Sequence, residues 1–430
     1  MSKGHKIGLF SAILINLNLM ISSGVFINIA PLLHLSGSTS FLSYLGAAAC
    51  LIPIVLCVAY LAQELPGVGG LYGYSKTYLT PWLGFVSGWS YYMGKAISAG
   101  LMLHLFAGAL QRSVPFLSGV PHLVLDVVVI SSVILLLVGG LQLQGPIQYL
   151  FIVAKLLPIT LVLLVAVFYG EVSAIDISDL TPQSFVSGLS TSLFALIGFE
   201  ASTAIVHLYE NPKKQIIPAT LVSFVGVIIA VTVVQFCVAT LITGDIAAFP
   251  LKQVLVAHLP GITWLPRALY MCVYTSIIGG AYVLMASNPW NLHTLASNDY
   301  FPGKSYLTYV FDEMVPTYSL IVTGILSFIG VVIAQNQIAL QNMVVFCVII
   351  TFMVTMAAAF VARKKNGEPV VSPLIVIAAF AATGILLYLA LQRIYLSGVS
   401  FEFLVLYGVG YLVALLYSNS EFLGLKKYLQ

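Results

Sequence analysis

The feature that most constrains this chain is a succession of apolar runs, each about twenty residues long or longer, separated by short stretches rich in Gly, Pro and charge. About 20 apolar residues in a helix cross the hydrocarbon core of a bilayer. Inside that core every backbone N–H and C=O needs a partner within the protein, which leaves helices and closed barrels as the spanning structures. Runs of this length read as helices. Twelve are delimited, near residues 7–34, 38–62, 82–110, 121–141, 145–169, 185–208, 216–242, 263–297, 316–335, 338–362, 372–392 and 401–418. Their least distinct separators are Gln335-Asn336-Gln337 and the gap at Gln142–Gly145. Composition leaves little room for anything else: 60% of the residues are hydrophobic and 7% charged, against about 25% charged in soluble domains. The expectation is an all-α membrane protein with twelve transmembrane helices.

An even number of spans puts both termini on one side. With the N-terminus inside, Lys3, Lys6, Lys76, Lys213, Lys214, Lys304, Arg363, Lys364, Lys365, Lys426 and Lys427 are cytoplasmic. Only Arg112, Lys252, Arg267 and Arg393 then lie outside, and Lys95 and Lys155 lie within spans. That asymmetry follows the positive-inside rule and predicts cytoplasmic termini in a cell (inner or plasma) membrane. The first run starts at Ile7 and shows no small-residue cleavage site before the next, so it is expected to be a retained helix. The five cysteines sit in apolar runs without metal-ligand spacing and read as small core residues. Tyr60, Trp82, Trp264 and Tyr417, near span ends, read as interfacial anchors.

Two spans are not smooth. The first contains Ile21-Ser22-Ser23-Gly24-Val25-Phe26, with Pro31 beyond; the sixth contains Phe194-Ala195-Leu196-Ile197-Gly198-Phe199-Glu200, followed by His207 and Glu210-Asn211-Pro212-Lys213-Lys214. Ser competes for backbone hydrogen bonds and Gly adds nothing to helix stability. Each stretch alone could be a helix-packing patch of small residues. The pair says more, because the two lie five spans apart, the separation expected of a five-plus-five inverted repeat with interrupted helices at equivalent positions. An interrupted helix has its own chemistry. N–H groups at a half-helix N-terminus attract a carboxylate, and carbonyls at a C-terminus attract an ammonium group. A site with both suits a zwitterion.

These residues resemble the amino acid–polyamine–organocation superfamily of permeases. Ile21-Ser22-Ser23-Gly24-Val25-Phe26 is similar to its helix 1 signature, with Ser22 where a glycine is usual. Glu64-Leu65-Pro66 to Gly69-Gly70-Leu71-Tyr72-Gly73-Tyr74 is similar to the stretch after helix 2, with a shorter piece between Glu64 and Pro66. Phe194 to Glu200, then Asn211-Pro212-Lys213-Lys214 and Ile217-Pro218, resemble helix 6 and its following loop; Ala296 to Pro302 and Val315-Pro316-Thr317 resemble the loop after helix 8. The resemblance implies a LeuT-like fold, with helices 1 and 6 interrupted. Its ten-helix transport core would be residues 1–362, as a first repeat (1–169) and an inverted second one (185–362), and residues 363–430 would hold two peripheral helices and the C-terminus. It further implies that Ser22, Ser23 and Gly24 bind the substrate carboxylate, and that carbonyls near Ile21, Phe194, Ala195 and Ile197, in the break that includes Gly198, hold the amino group. Phe194 matches an aromatic that closes over substrate in the related arginine/agmatine antiporter.

Ionisable groups at bilayer depth are functional candidates by default. Lys155 matches a helix 5 lysine that, in some proton-coupled relatives, takes the place of a coupling ion. Burial penalises the charged form of a lysine, which suits one to carry protons; the alternative is a permanently charged strut on helix 1 carbonyls. Glu200, after the helix 6 break, would carry a proton or bond the broken backbone. Lys95 either faces the substrate side chain, favouring an acidic one, or pairs with Glu200 or backbone, the preferred reading. His104 and His207, lone histidines without ligand spacing, read as packed or interfacial rather than metal-binding, and Asp126 as solvated near the outer start of span four.

The expected function is secondary active transport of an amino acid by alternating access, coupled to protons, with an amino acid/amine exchanger of the same fold as alternative. An intramembrane enzyme would need paired aspartates, His-Glu-x-x-His or a serine with a histidine at helical spacing; no such set occurs, nor does a phosphate-binding loop for ATP. A binding-only amino-acid sensor is the non-transporter alternative. The expected partners are an amino acid, protons and the lipid bilayer, with no cofactor, metal or nucleic acid. Which amino acid, symport against exchange, and oligomeric state are left open.

Overall fold

A computed structural model of the chain describes residues 8–419 except 22–23, 67–69, 140–145, 201–202, 204–205, 207–208, 243, 248, 312–314, 367–370 and 399. In chain order its helices are α1 (Leu9–Met20), α2 (Gly24–Ile27), α3 (Ile29–Ser36), α4 (Phe41–Glu64), α5 (Gly70–Tyr78), α6 (Pro81–Ser113), α7 (His122–Val138), α8 (Pro146–Tyr169) and α9 (Pro182–Leu196). There follow α10 (Pro212–Leu241), α11 (Pro250–His258), α12 (Leu265–Ser287), α13 (Pro289–Ser297), α14 (Lys304–Leu307), α15 (Thr317–Ala334), α16 (Gln337–Asn366), α17 (Pro373–Leu396) and α18 (Ser400–Asn419). A two-stranded antiparallel ribbon pairs Val310 with Pro316 and Phe311 with Val315.

Among the described residues, eight helical segments are long and apolar enough to cross a membrane. They fall in the second, third, fifth and seventh to eleventh predicted runs, and make this an integral membrane protein of mainly helical fold. The fourth and twelfth runs hold shorter apolar helices, within His122–Val138 and Phe401–Tyr417. The first and sixth fall short for a different reason, which is that they are broken. The eighth run is one of the long segments, Leu265–Ser297; its hydrogen-bond ladder is interrupted at Asn288, whose backbone stays helical (φ −66°, ψ −33°), because Pro289 has no N–H to donate.

The chain forms two compact units. One comprises Met1–Tyr74, Gly145–Ser276 and Thr355–Leu386. In it α10 packs on α4 and on α1, and α9 packs on α4 and α3. Lipid tails are as apolar as leucine, so close backbone approach and interhelical hydrogen bonds hold such helices together. Gly188 of α9 sits against the hydroxyls of Ser36 and Ser43, where a Cβ would collide with both. Ser36 Oγ donates to the Ser184 carbonyl at 2.7 Å, and Gln235 Nε2 donates to Ser40 Oγ at 2.9 Å in a buried position.

The other unit comprises Ser75–Gln144, Ile277–Val354 and Leu387–Gln430. Its axis is the 33-residue α6, opened by Pro81 behind the Thr80 cap, whose hydroxyl accepts from Leu83 N–H. Gly100 lets α6 approach α15 so closely that a Cβ there would stand 2.5 Å from the Ser327 carbonyl oxygen. Ser327 Oγ then donates to the Ala96 carbonyl at 2.7 Å. Trp89 Nε1 donates to the Tyr407 carbonyl at 3.0 Å and fixes α18 on α6. Of the expected interfacial anchors, Trp82 and Trp264 are exposed, whereas Tyr60 and Tyr417 are buried and serve packing.

Candidate functional site

The first break begins where α1 ends. Ile21 N–H still donates to the Leu17 carbonyl, but its ψ of 86° leaves the helical region. Ser22 and Ser23 lie outside the described residues. Helical structure resumes at Gly24 and pauses at Asn28, because Pro31 lacks the N–H that would bond the Ile27 carbonyl. Asn28 is fully buried, and its amide donates to the Thr191 carbonyl of α9 at 2.9 Å.

The second break follows α9. Ile197 donates to the Leu193 carbonyl and then turns extended with ψ 127°. Gly198 takes φ +146°, a conformation L side chains avoid, so the turn requires glycine. Glu200, 2% exposed, reaches back, and its Oε2 accepts the Gly198 N–H at 2.9 Å. Of the two expected roles of Glu200, bonding the broken backbone is thus observed. Thr203 Oγ1 donates to the Glu200 carbonyl at 2.6 Å and continues the brace.

The two breaks meet. A Cβ on Gly24 would stand 2.8 Å from Ala195 Cα, and one on Gly198 would stand 3.9 Å from Met20 Cα. The C-terminal ends of α1 and α9, where helix carbonyls gather partial negative charge, therefore lie beside the N-terminal start of α2, where N–H groups gather positive charge. Phe194, Ala195 and Ile197 are all buried here. Such a junction offers carbonyl oxygens to a cation and N–H groups to an anion within one small volume.

Lys155 projects from α8 onto this region. Its Nζ donates to the Asn18 carbonyl at 2.9 Å and to Asn18 Oδ1 at 3.1 Å. Asn18 belongs to the last turn of α1, and the closing carbonyls of a helix run short of intrahelical donors. An ammonium at a helix C-terminus is also the favourable charge. The contact is what the strut reading expects, and it is where a proton-carrying lysine would act as well.

The sequence profile of the family described as amino acid permease matches residues 7–413. The chain belongs to that family. The match sets it in the amino acid–polyamine–organocation superfamily and among transporters rather than enzymes. The permease is 21% identical over 379 residues to the serine/threonine exchanger SteT of Bacillus subtilis, covering 84% of each chain. It is 24% identical over 290 residues to an uncharacterized transporter of Mycobacterium tuberculosis, covering 65% of this chain and 63% of that one. A probable polyamine transporter of Arabidopsis thaliana is 26% identical over 307 residues, covering 68% of this chain and 61% of its own.

Six of the expected site residues (Ile21, Gly24, Phe194, Ala195, Ile197 and Gly198) lie at the paired breaks of the permease, and Ser22 and Ser23 lie outside the described residues. Lys95 belongs to the other unit, on α6, where its Nζ stands 5.2 Å from the ring centroid of Tyr91, one turn earlier. Two polar residues escaped the sequence reading. Asn18 holds Lys155, and fully buried Asn16 donates to Tyr209 Oη at 3.3 Å. Their signal was present, since two amides inside an apolar run demand partners. The readings of Asp126 and His104 are corrected. Asp126 is fully buried, not solvated, because His104, which is not a lone histidine, meets its Oδ2 from α6 at 2.9 Å. His207 lies outside the described residues.

Proposed function

We propose that this permease is a secondary active transporter of an amino acid, with twelve spans built as two inverted five-helix repeats plus two peripheral helices, and that it works by alternating access. The observation carrying this reading is the meeting of the two helix breaks, Gly24 against Ala195 and Gly198 beside Met20. A free amino acid is a zwitterion, and paired helix ends supply what each of its charges needs. In this reading Ser22, Ser23 and Gly24 receive the carboxylate. Ile21, Phe194, Ala195 and Ile197 receive the ammonium group, and Gly198 keeps the turn open. Lys95 either meets the substrate side chain or rests on Tyr91. The membrane is the cell membrane, with both termini in the cytoplasm.

Lys155 and Glu200 carry the coupling. Each is bonded to a helix end at the junction, so loss or gain of a proton would change what holds that end. The test is uptake of radiolabelled amino acids into proteoliposomes under an imposed pH gradient. Uptake driven by inward proton flow supports the full reading. Absence of any substrate-dependent flux sinks transport and leaves a sensor.

Exchange is the second reading, favoured by the match to a serine/threonine exchanger over 84% of both chains. It is distinguished by counterflow. Uptake that requires amino acid inside the vesicle, and ignores the pH gradient, selects exchange over proton symport.

A further inference from the structure

Away from the helix breaks, three metal-ligating side chains converge where α6 meets the start of α7. His122 and Asp126 stand four residues apart on one face of α7, and His104 comes from α6. Their ligand atoms all lie within 4.8 Å of one another. The two imidazoles stack with centroids 4.3 Å apart and planes 12° from parallel, so both rings border the same carboxylate. His104 Nδ1 is 2.9 Å from Asp126 Oδ2, and His122 Nε2 is 3.8 Å from Asp126 Oδ1 and 3.2 Å from the His104 carbonyl oxygen.

The cluster is incomplete as a set of hydrogen bonds. Asp126 is 0% exposed, and its Oδ1 has no hydrogen-bond donor among the described residues. A buried carboxylate oxygen without a partner is costly, and such an atom in a folded protein calls for an explanation. His122 is the nearest candidate donor, but at 3.8 Å it stands beyond hydrogen-bond range and its Nε2 is closer to the His104 carbonyl.

A cation resolves the mismatch. Two imidazole nitrogens and one carboxylate oxygen are the donor set of three-ligand zinc sites, which keep a fourth position for water. Bonds of about 2.0–2.2 Å in a tetrahedron put neighbouring ligand atoms roughly 3.3–3.5 Å apart. The 2.9 and 3.8 Å separations end on different oxygens of Asp126, and the three ligand atoms lie within 4.8 Å of one another, so the side chains must draw together by up to about 1.5 Å to share one ion. Calcium and magnesium call for six or more oxygen ligands and are poorly served here. Access comes from the side of His122, which is 36% exposed while His104 is 12% exposed. Another charged group nearby is Arg112 of α6. Its Nη1 would be 3.5 Å from a Cβ on Gly108, a point 3.1 Å from His122 Cε1. That guanidinium opposes a divalent ion, so affinity would be moderate.

We propose that His104, His122 and Asp126 bind a divalent transition-metal ion of the zinc class, which clamps the end of α6 to the start of α7. The site is independent of the substrate reading, and its test does not use transport. Zinc(II) alone is titrated into the purified full-length permease in detergent, followed by calorimetry and by thermal unfolding, with magnesium as control. Saturable binding of a single ion with a rise in melting temperature, absent with magnesium and reversed by chelator, is the expected result. Asp126→Asn keeps the shape, and His122→Ala alters a half-exposed ring. Each should weaken zinc binding by roughly a hundredfold, the upper end of what loss of even an outer-shell partner costs. Protons compete with the metal for imidazole nitrogens, so wild-type affinity should fall as the pH is lowered. No saturable zinc response in the wild type overturns the proposal whatever the variants do. So does a response that both variants, monodisperse by gel filtration, retain in full.

Discussion

Gly24 stands where no other residue fits without displacement. A Cβ there would press on the backbone of Ala195 at 2.8 Å, and neither helix has a flexible group at that point that could yield. Forcing extra volume into such a contact costs typically about 1–3 kcal/mol. Gly24→Val is therefore expected to push α2 away from α9 and to weaken amino-acid binding by more than about tenfold, a change worth about 1.4 kcal/mol. Isothermal titration of monodisperse protein reads this, and an unchanged affinity would remove the breaks from the substrate site. Lys155 makes a different prediction. Lys155→Ala takes both hydrogen bonds from Asn18 and should cost stability by about 1–3 kcal/mol. If Lys155 also couples, pH-driven uptake disappears while counterflow survives. Uptake that is lower but keeps its pH dependence would make the lysine a strut alone.

At the scale of elements, α9 shows how a helix is given two defined ends. Thr181 and Ser184 form a reciprocal capping box, and Pro182 occupies the first helical turn, where no N–H is required. The other end is cut by Ile197 and Gly198. Because the cap lies away from the break, Thr181→Ala should cost about 1 kcal/mol, lower the melting temperature by a few degrees and leave substrate affinity unchanged. A thermal melt with and without substrate tests this. Much of this architecture was legible from the chain, because bilayer thickness sets the length of an apolar run and Ser-Ser-Gly and Ile-Gly are poor helix formers. The interruption of the hydrogen-bond ladder at Asn288 was not, since Pro289 sits in a run apolar enough to read as unbroken. α5, α11 and α14 were also unread, being too short and polar to register as spans. The burial of Asp126 is not legible in the sequence because its partner His104 lies 22 residues away on another helix, a contact that no local pattern encodes.

For the whole molecule, the most informative measurement is a thermal-shift screen against the twenty amino acids and common amines. A ligand present at about a hundred times its Kd stabilises the folded state by about 2.7 kcal/mol, enough to read in a melt. At least one amino acid should do so, and glutamate or aspartate should lead if Lys95 faces the substrate. Stabilisation by amines alone would count against an amino acid as the substrate. The first unit is assembled from separate stretches of the chain, which bears on how the protein is made. Asn16 in α1 is completed by Tyr209, 193 residues later, and Asn28 by the Thr191 carbonyl, 163 residues later. At about 5–20 residues per second of synthesis, α1 waits roughly 10–40 seconds for Tyr209 to be made. The Asn16 amide lacks that partner meanwhile. A lesion at Asn16 is therefore expected to surface as poor membrane insertion before it surfaces as poor transport.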